Sequence, residues 1–117
     1  MTLCPPKDKT INYIEFLVQD ISQSKKFYGD VFGWTYTDYG PDYCEFNDGH
    51  MTGGFAHGTP VSGGPLVVLY GSDLNAMQEA VTAAGGEISK EIFDFPGGRR
   101  FQFKDLDGYE LAVWSET

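Results

Sequence analysis

Tyrosines and carboxylates two residues apart are the groups in this sequence best spaced to do chemistry together. Tyr13 and Glu15 stand in one short apolar stretch, and Tyr43 and Glu45 in another. On a β-strand, residues i and i+2 share a face, so each pair presents a phenol beside a carboxylate. Aromatic rings stack on flat ligands or attract a cation. A carboxylate fixes a ligand's polar groups or, if desolvated, serves as acid or base. Later stretches add Phe55, Tyr70, Arg100, Gln102, Glu110 and Trp114. His50 follows Asp48-Gly49 and His57 opens a Gly-rich link; neither has a second histidine or a cysteine at ligand spacing, so both read as surface residues. The paired glycines at 53–54, 63–64, 85–86 and 97–98 fit no phosphate-cradling pattern. No serine-nucleophile elbow is present.

The elements that must position these groups repeat. Ile11 to Val18 reads as a strand, rich in β-branched and aromatic residues. Asp20 then caps a helix, with Gln23 as its capping-box partner, and Gly33 stops it. Ile21, Phe27, Tyr28, Val31 and Phe32 recur along it at helical spacing. In the second half Pro65 to Tyr70 is a strand, Asp73 caps a helix carrying Leu74, Met77, Val81 and Ala84 on one face, and Gly85-Gly86 ends it. Each helix precedes three strand-like stretches: Trp34–Tyr39, Asp42–Phe46 and Met51–Ala56, then Glu87–Phe93, Arg99–Lys104 and Tyr109–Trp114. Gly40-Pro41, Asp48-Gly49, Pro96-Gly97-Gly98 and Asp107-Gly108 supply the turns. The chain therefore reads βαβββ twice within a single α+β domain spanning residues 1–117. Module one covers about 10–57, a loop 57–64, and module two about 65–116. One helix covers one face of each sheet. Burying the other faces predicts curled mixed sheets enclosing a cleft, where small ligands bind.

Composition bounds the partners. Aspartate and glutamate total 17 against 8 lysine plus arginine, a formal net charge of -9. That excludes counterion-driven nucleic-acid binding and disfavours an anionic membrane surface. No apolar run is long enough to span a bilayer, and Met1 to Lys9 lacks the apolar core of a secretory leader. The expected location is cytoplasmic. Cys4 and Cys44 make no disulfide framework and read as reduced thiols.

The stretch Glu15 to Asp20 (EFLVQD), followed by FYGDVFGW from Phe27 to Trp34 and KDLDGY from Lys104 to Tyr109, resembles the vicinal oxygen chelate superfamily, which includes glyoxalase I, bleomycin-resistance proteins and extradiol dioxygenases. The likeness covers about residues 10 to 116 and is nearest to the small, single-domain, glyoxalase-related members. It implies four metal-ligand positions in metal-using relatives: seven residues before each helix-capping aspartate, and four after the glycine of each Asp-Gly turn. Here these are Tyr13, Leu66, Gly53 and Ala112. Tyrosine alone among them can ligate a divalent cation, and it lacks imidazole or carboxylate company.

Strand parity assigns the ligand-facing set. Ile14, Phe16 and Val18 lie under the first helix, leaving Tyr13 and Glu15 in the cleft. Phe101 and Phe103 lie under the second, leaving Arg100, Gln102 and Lys104. Leu111 and Val113 likewise leave Glu110, Ala112 and Trp114. The repeat adds Tyr43, Glu45 and Tyr70, and sets Phe55 opposite Trp114. Glu15 is read either as a ligand contact or as half of an ion pair with Arg100 or Lys104. The ligand-binding set is thus Tyr13, Glu15, Tyr43, Glu45, Phe55, Tyr70, Arg100, Gln102, Glu110 and Trp114. The expected function is metal-independent binding of an aromatic or cationic small molecule, without cofactor, by a homodimer. Two alternatives stand beside it. One is a glyoxalase-related lyase or isomerase with a divalent metal on a shifted carboxylate site using Glu15 and Glu110. The other is an accessory subunit whose cleft is plugged by Trp34, Tyr43 and Trp114.

Overall fold

The structure, a computed structural model, describes residues 8–9 and 11–117. Cys4 lies outside them. The described elements are β1 (Tyr13–Val18), α1 (Ile21–Phe32), β2 (Thr35–Asp38), β3 (Tyr43–Asn47), β4 (Thr52–His57), β5 (Val67–Tyr70), α2 (Leu74–Ala83), β6 (Glu87–Phe95), β7 (Gly98–Lys104) and β8 (Glu110–Ser115). They form two βαβββ modules, each with a four-stranded mixed sheet, ordered β1-β4-β3-β2 and β5-β8-β7-β6. The chain divides into two compact units at Pro60 and Val61.

Local chemistry sets the helix ends. The Asp20 carboxylate accepts from the Gln23 N–H at 3.2 Å, and Asp73 accepts from Ala76 N–H at 3.1 Å. Gly33 closes α1 at φ 74°, a left-handed geometry that costs glycine little. Ala84 caps α2 in right-handed geometry, and the chain turns left-handed one residue later at Gly85.

In module one the helix side of the sheet is aromatic. Phe27, Tyr28 and Val31 of α1 are buried with Phe16, Phe46 and Phe55 of the sheet. The Tyr28 ring stacks on Trp34 at 4.6 Å, and Trp34 stacks on Phe46 at 4.4 Å. Cys44 lies in this layer as a free thiol, its pKa pushed up to about 11 by burial. Lys25 of α1 pairs with Asp38 at 3.0 Å, which holds the Asp38 carboxyl below its usual range. In module two the corresponding layer is Leu74 and Val81 of α2 with Phe101, Phe103, Leu111 and Val113.

The loops of the resemblance motifs are backbone-satisfying turns. Asp105 Oδ1 accepts from the N–H groups of Asp107 and Tyr109, both at 2.9 Å. Asp48 Oδ1 does the same for His50 and Met51 in module one. Asp105 thus holds the turn of the KDLDGY stretch. No helix among the described residues is long and apolar enough to cross a membrane.

Candidate functional site

Each sheet has a far face, turned away from its helix, and pairing register fixes its rows. In module one Glu15 and Glu45 both stand beside Gly54, on β1 and β3 respectively, in the row Glu15–Gly54–Glu45–Thr37. Tyr43 and Tyr13 converge over that glycine. Tyr43 Oη donates to Glu15 Oε1 at 2.9 Å and lies 2.5 Å from Tyr13 Oη. A Cβ at Gly54 would run into the Tyr43 hydroxyl and lie 2.9 Å from that of Tyr13. A side chain there would displace the phenols from the carboxylate. Burial foremost, then the hydrogen bonds with Tyr13 and Glu15, pushes the Tyr43 phenol well above its ordinary value. A phenol is a proton donor at neutral pH even at its ordinary value of about 10, and the rise widens that range.

In module two the matching row is Val68–Ala112–Gln102–Lys90. Gln102, only 5% exposed, donates through Nε2 to Glu110 at 2.9 Å. Ser89 donates to the same carboxylate oxygen at 2.7 Å. These two bonds, Ser89 first, hold Glu110 below the usual carboxylate range. The next row is Tyr70–Trp114–Arg100–Phe93, across all four strands. Tyr70 meets Trp114 edge-on at 5.3 Å, and Phe95 lies 6.3 Å from Trp114. The Arg100 guanidinium sits over Phe93 at 5.3 Å and Phe95 at 5.7 Å.

The structure thus brings Tyr13, Glu15, Tyr43 and Glu45 to one far face, and Tyr70, Arg100, Gln102, Glu110 and Trp114 to the other. Phe55 is a correction. It is fully buried on the helix side, 5.6 Å from Tyr28 and 5.0 Å from Phe46, and cannot meet a ligand at the far face. The reason is register. Glu15 pairs with Gly54 and Val68 with Ala112, so Trp114 matches Ala56, and Phe55 matches Val113. The connection from β7 to β8 is one residue longer than that from β3 to β4, since Gln102 and Ala112 pair ten residues apart where Glu45 and Gly54 pair nine apart, and this odd residue flips parity between the last strands of the two repeats. The same parity moves Gly53. Tyr13 pairs with Thr52, and a Cβ on Gly53 would run into Phe46 and the Ile14 carbonyl on the helix side. Trp34, held between Tyr28 and Phe46, likewise belongs to the helix-side layer.

Phe93, Phe95 and Gly54 escaped the sequence reading. β6 carries register shifts between Ile88 and Lys90 and between Lys90 and Phe93, so alternation alone cannot assign its faces. The Gly97-Gly98 hairpin was the available signal, since it sets Phe95 opposite Gly98. For Gly54 the signal was a glycine pair inside a strand. A shallow depression lined by Asn75, Gln78, Glu79 and Thr82 lies on α2, on the helix side of its sheet.

The donor set does not suit a divalent ion. Among the described residues, no three His, Cys, Asp or Glu side chains converge to hold one. Tyr13 is engaged with Tyr43, Glu15 with Tyr43, and Glu110 with Ser89 and Gln102. His50 and His57 are exposed.

No curated protein matches the chain significantly. Solved structures share its fold. A fosfomycin resistance protein, FosX, from Listeria monocytogenes, complexed with Mn(II) and 1S,2S-dihydroxypropylphosphonic acid, superposes with TM-score 0.83 at 17% identity, covering 95% of this chain and 93% of that one. A glyoxalase/bleomycin resistance protein/dioxygenase family enzyme from Burkholderia phytofirmans PsJN gives 0.81 at 17%, covering 91% and 98%. A glyoxalase-related enzyme from Fulvimarina pelagi gives 0.78 at 20%, covering 92% and 88%. A family model matches residues 10–113, which is nearly all of both βαβββ modules, and so the chain belongs to the Glyoxalase/Bleomycin resistance protein/Dioxygenase superfamily.

Proposed function

We propose that this chain is a metal-independent small-molecule binding protein that holds a ligand with an aromatic ring against the far face of the module-two sheet. The observation that carries the reading is the row Tyr70–Trp114–Arg100–Phe93, which sets three aromatic rings and a cation side by side. Aromatic rings contribute stacking beyond the area they bury. The carboxylates that a shifted metal site would use are taken up by hydrogen bonds from Tyr43, Ser89 and Gln102. That favours binding over a glyoxalase-related lyase or isomerase. The location in the cytoplasm and a homodimer belong to the same reading. Sedimentation of the purified protein reads the oligomer directly, and a monomer at working concentration counts against it.

The test is a thermal-shift scan on tag-free protein with EDTA, Zn²⁺, Ni²⁺, Mn²⁺, Fe²⁺ and Mg²⁺, followed by a panel of aromatic compounds. A ligand at 100 times its Kd stabilises the folded state by about 2.7 kcal/mol. The expected result is no metal shift and a rise in Tm with ring compounds. Stoichiometric metal, or a clear rise with one ion, overturns the proposal in favour of the enzyme. A flat response throughout supports the accessory-subunit alternative.

A further inference from the structure

Arg100 is the unusual group in an acidic chain. Its Nε is buried without a hydrogen-bond partner, and the guanidinium forms no ion pair among the described residues. The neighbouring acids are engaged elsewhere. Asp94 pairs with Arg99 at 3.5 Å, Glu110 accepts from Ser89 and Gln102, and Glu116 accepts from Tyr70. Lys90 of the adjacent strand β6 lies over Phe93 at 6.0 Å, adding a second positive charge to the same face. A buried donor without an acceptor costs free energy that any well-placed acceptor recovers. The guanidinium fork matches a carboxylate, which it can grip through two parallel N–H···O bonds. Trp114 stands beside Arg100 in the register, with Tyr70 beyond it.

We infer that the far face of module two is a site for a planar aromatic carboxylate, with Arg100 binding the carboxylate and Trp114 and Tyr70 stacking the ring. The inference rests on the proposed small-molecule function and narrows it, since charge at this face selects an anion rather than a cation. The total charge of -9 would repel an anion at long range, so the preference must come from Arg100 itself.

Isothermal titration of the 117-residue chain with 2-naphthoate, 2-naphthamide and 2-naphthylmethylammonium separates the possibilities. The expected order puts naphthoate at least about tenfold tighter than the amide, the range of a charge-assisted hydrogen bond. Arg100→Met should abolish that preference while weak ring binding persists. Arg99→Gln, at the neighbouring paired arginine, should leave it unchanged. A thermal melt of each variant checks folding, and Arg100→Lys, which keeps the charge without the fork, should retain part of the preference. If the ring compounds bind but the amide or ammonium equals naphthoate, the anion assignment fails and small-molecule binding stands. If none of the three binds, the proposed function fails with it. Naphthoate preference surviving in Arg100→Met also overturns the assignment.

Discussion

The two modules share an architecture and differ in what their far faces offer. Module one sets Glu15, Gly54 and Glu45 in one row and lays two phenols over the glycine. Module two sets Val68, Ala112 and Gln102 in the matching row, and puts its chemistry one row further along, in Tyr70, Trp114, Arg100 and Phe93. The module-one counterparts of Tyr70 and Trp114 are Leu17 and Ala56, beside Tyr43. One face is built of phenols and hydrogen-bond acceptors, the other of rings and a cation. A duplicated fold keeps its helix caps and strand pairing, which both copies need to fold, while its far-face rows are free to diverge.

The largest effects should separate the helix side from the far face. Phe55→Ala empties a fully buried site packed against five other rings and should cost about 4 kcal/mol in chemical denaturation. Trp114→Ala removes a half-buried ring and should cost only about 1–2 kcal/mol while weakening ring-compound binding. Equal losses of stability would mean that Trp114 is core and that the far face of module two is no site.

A smaller effect tests the matching residues Gly54 and Ala112. Gly54→Ala pushes Tyr43 off Glu15 and crowds Tyr13, and should cost about 2 kcal/mol. Ala112→Gly removes a buried methyl and adds chain freedom, for about 1 kcal/mol. A neutral Gly54→Ala would show that Tyr43 and Tyr13 relocate freely and that the Tyr43 bond to Glu15 carries little.

The smallest effects concern pH, and the two faces should respond at opposite ends of the scale. Tyr43 has a raised folded pKa, so its contribution is complete below its unfolded value, about 10, and is lost as pH rises past it. Tyr13→Phe should lower the pH at which Tyr43 ionises, read by phenolate absorbance. Glu110 has a depressed folded pKa, so its contribution is present above its ordinary value of 4.5 and is lost as pH falls through the lowered one. Ser89→Ala should move the acid limb of the stability curve to higher pH. A change at the wrong end of the scale in either variant would break the assignment.

Much of this was legible in the residues. Asp20 and Asp73 at matching offsets from Gly33 and Gly86 marked both helices, because N-caps and glycine stops act over a few bonds. Strict alternation on β1, β7 and β8 assigned Tyr13, Glu15, Arg100, Gln102, Glu110 and Trp114 to far faces. Phe55 failed because its side was inferred across the repeat, where one extra residue between β7 and β8 changed parity. Phe93 and Phe95 failed because bulges reset alternation within β6.

The sequence alone determined the number of modules, the ends of both helices, the acidity of the surface and the family to which the fold belongs. These depend on neighbours in the chain and on composition. Tertiary structure decided that Tyr13, Tyr43 and Glu15 meet over Gly54, that Arg100 Nε is buried without an acceptor among the described residues while its guanidinium lies over Phe93 and Phe95, and that Phe55 faces α1. Each of these depends on the register between strands that are distant in the chain. A single-residue slip reverses every side chain of a strand, so register is fixed by cross-strand packing and not by any one strand's own sequence.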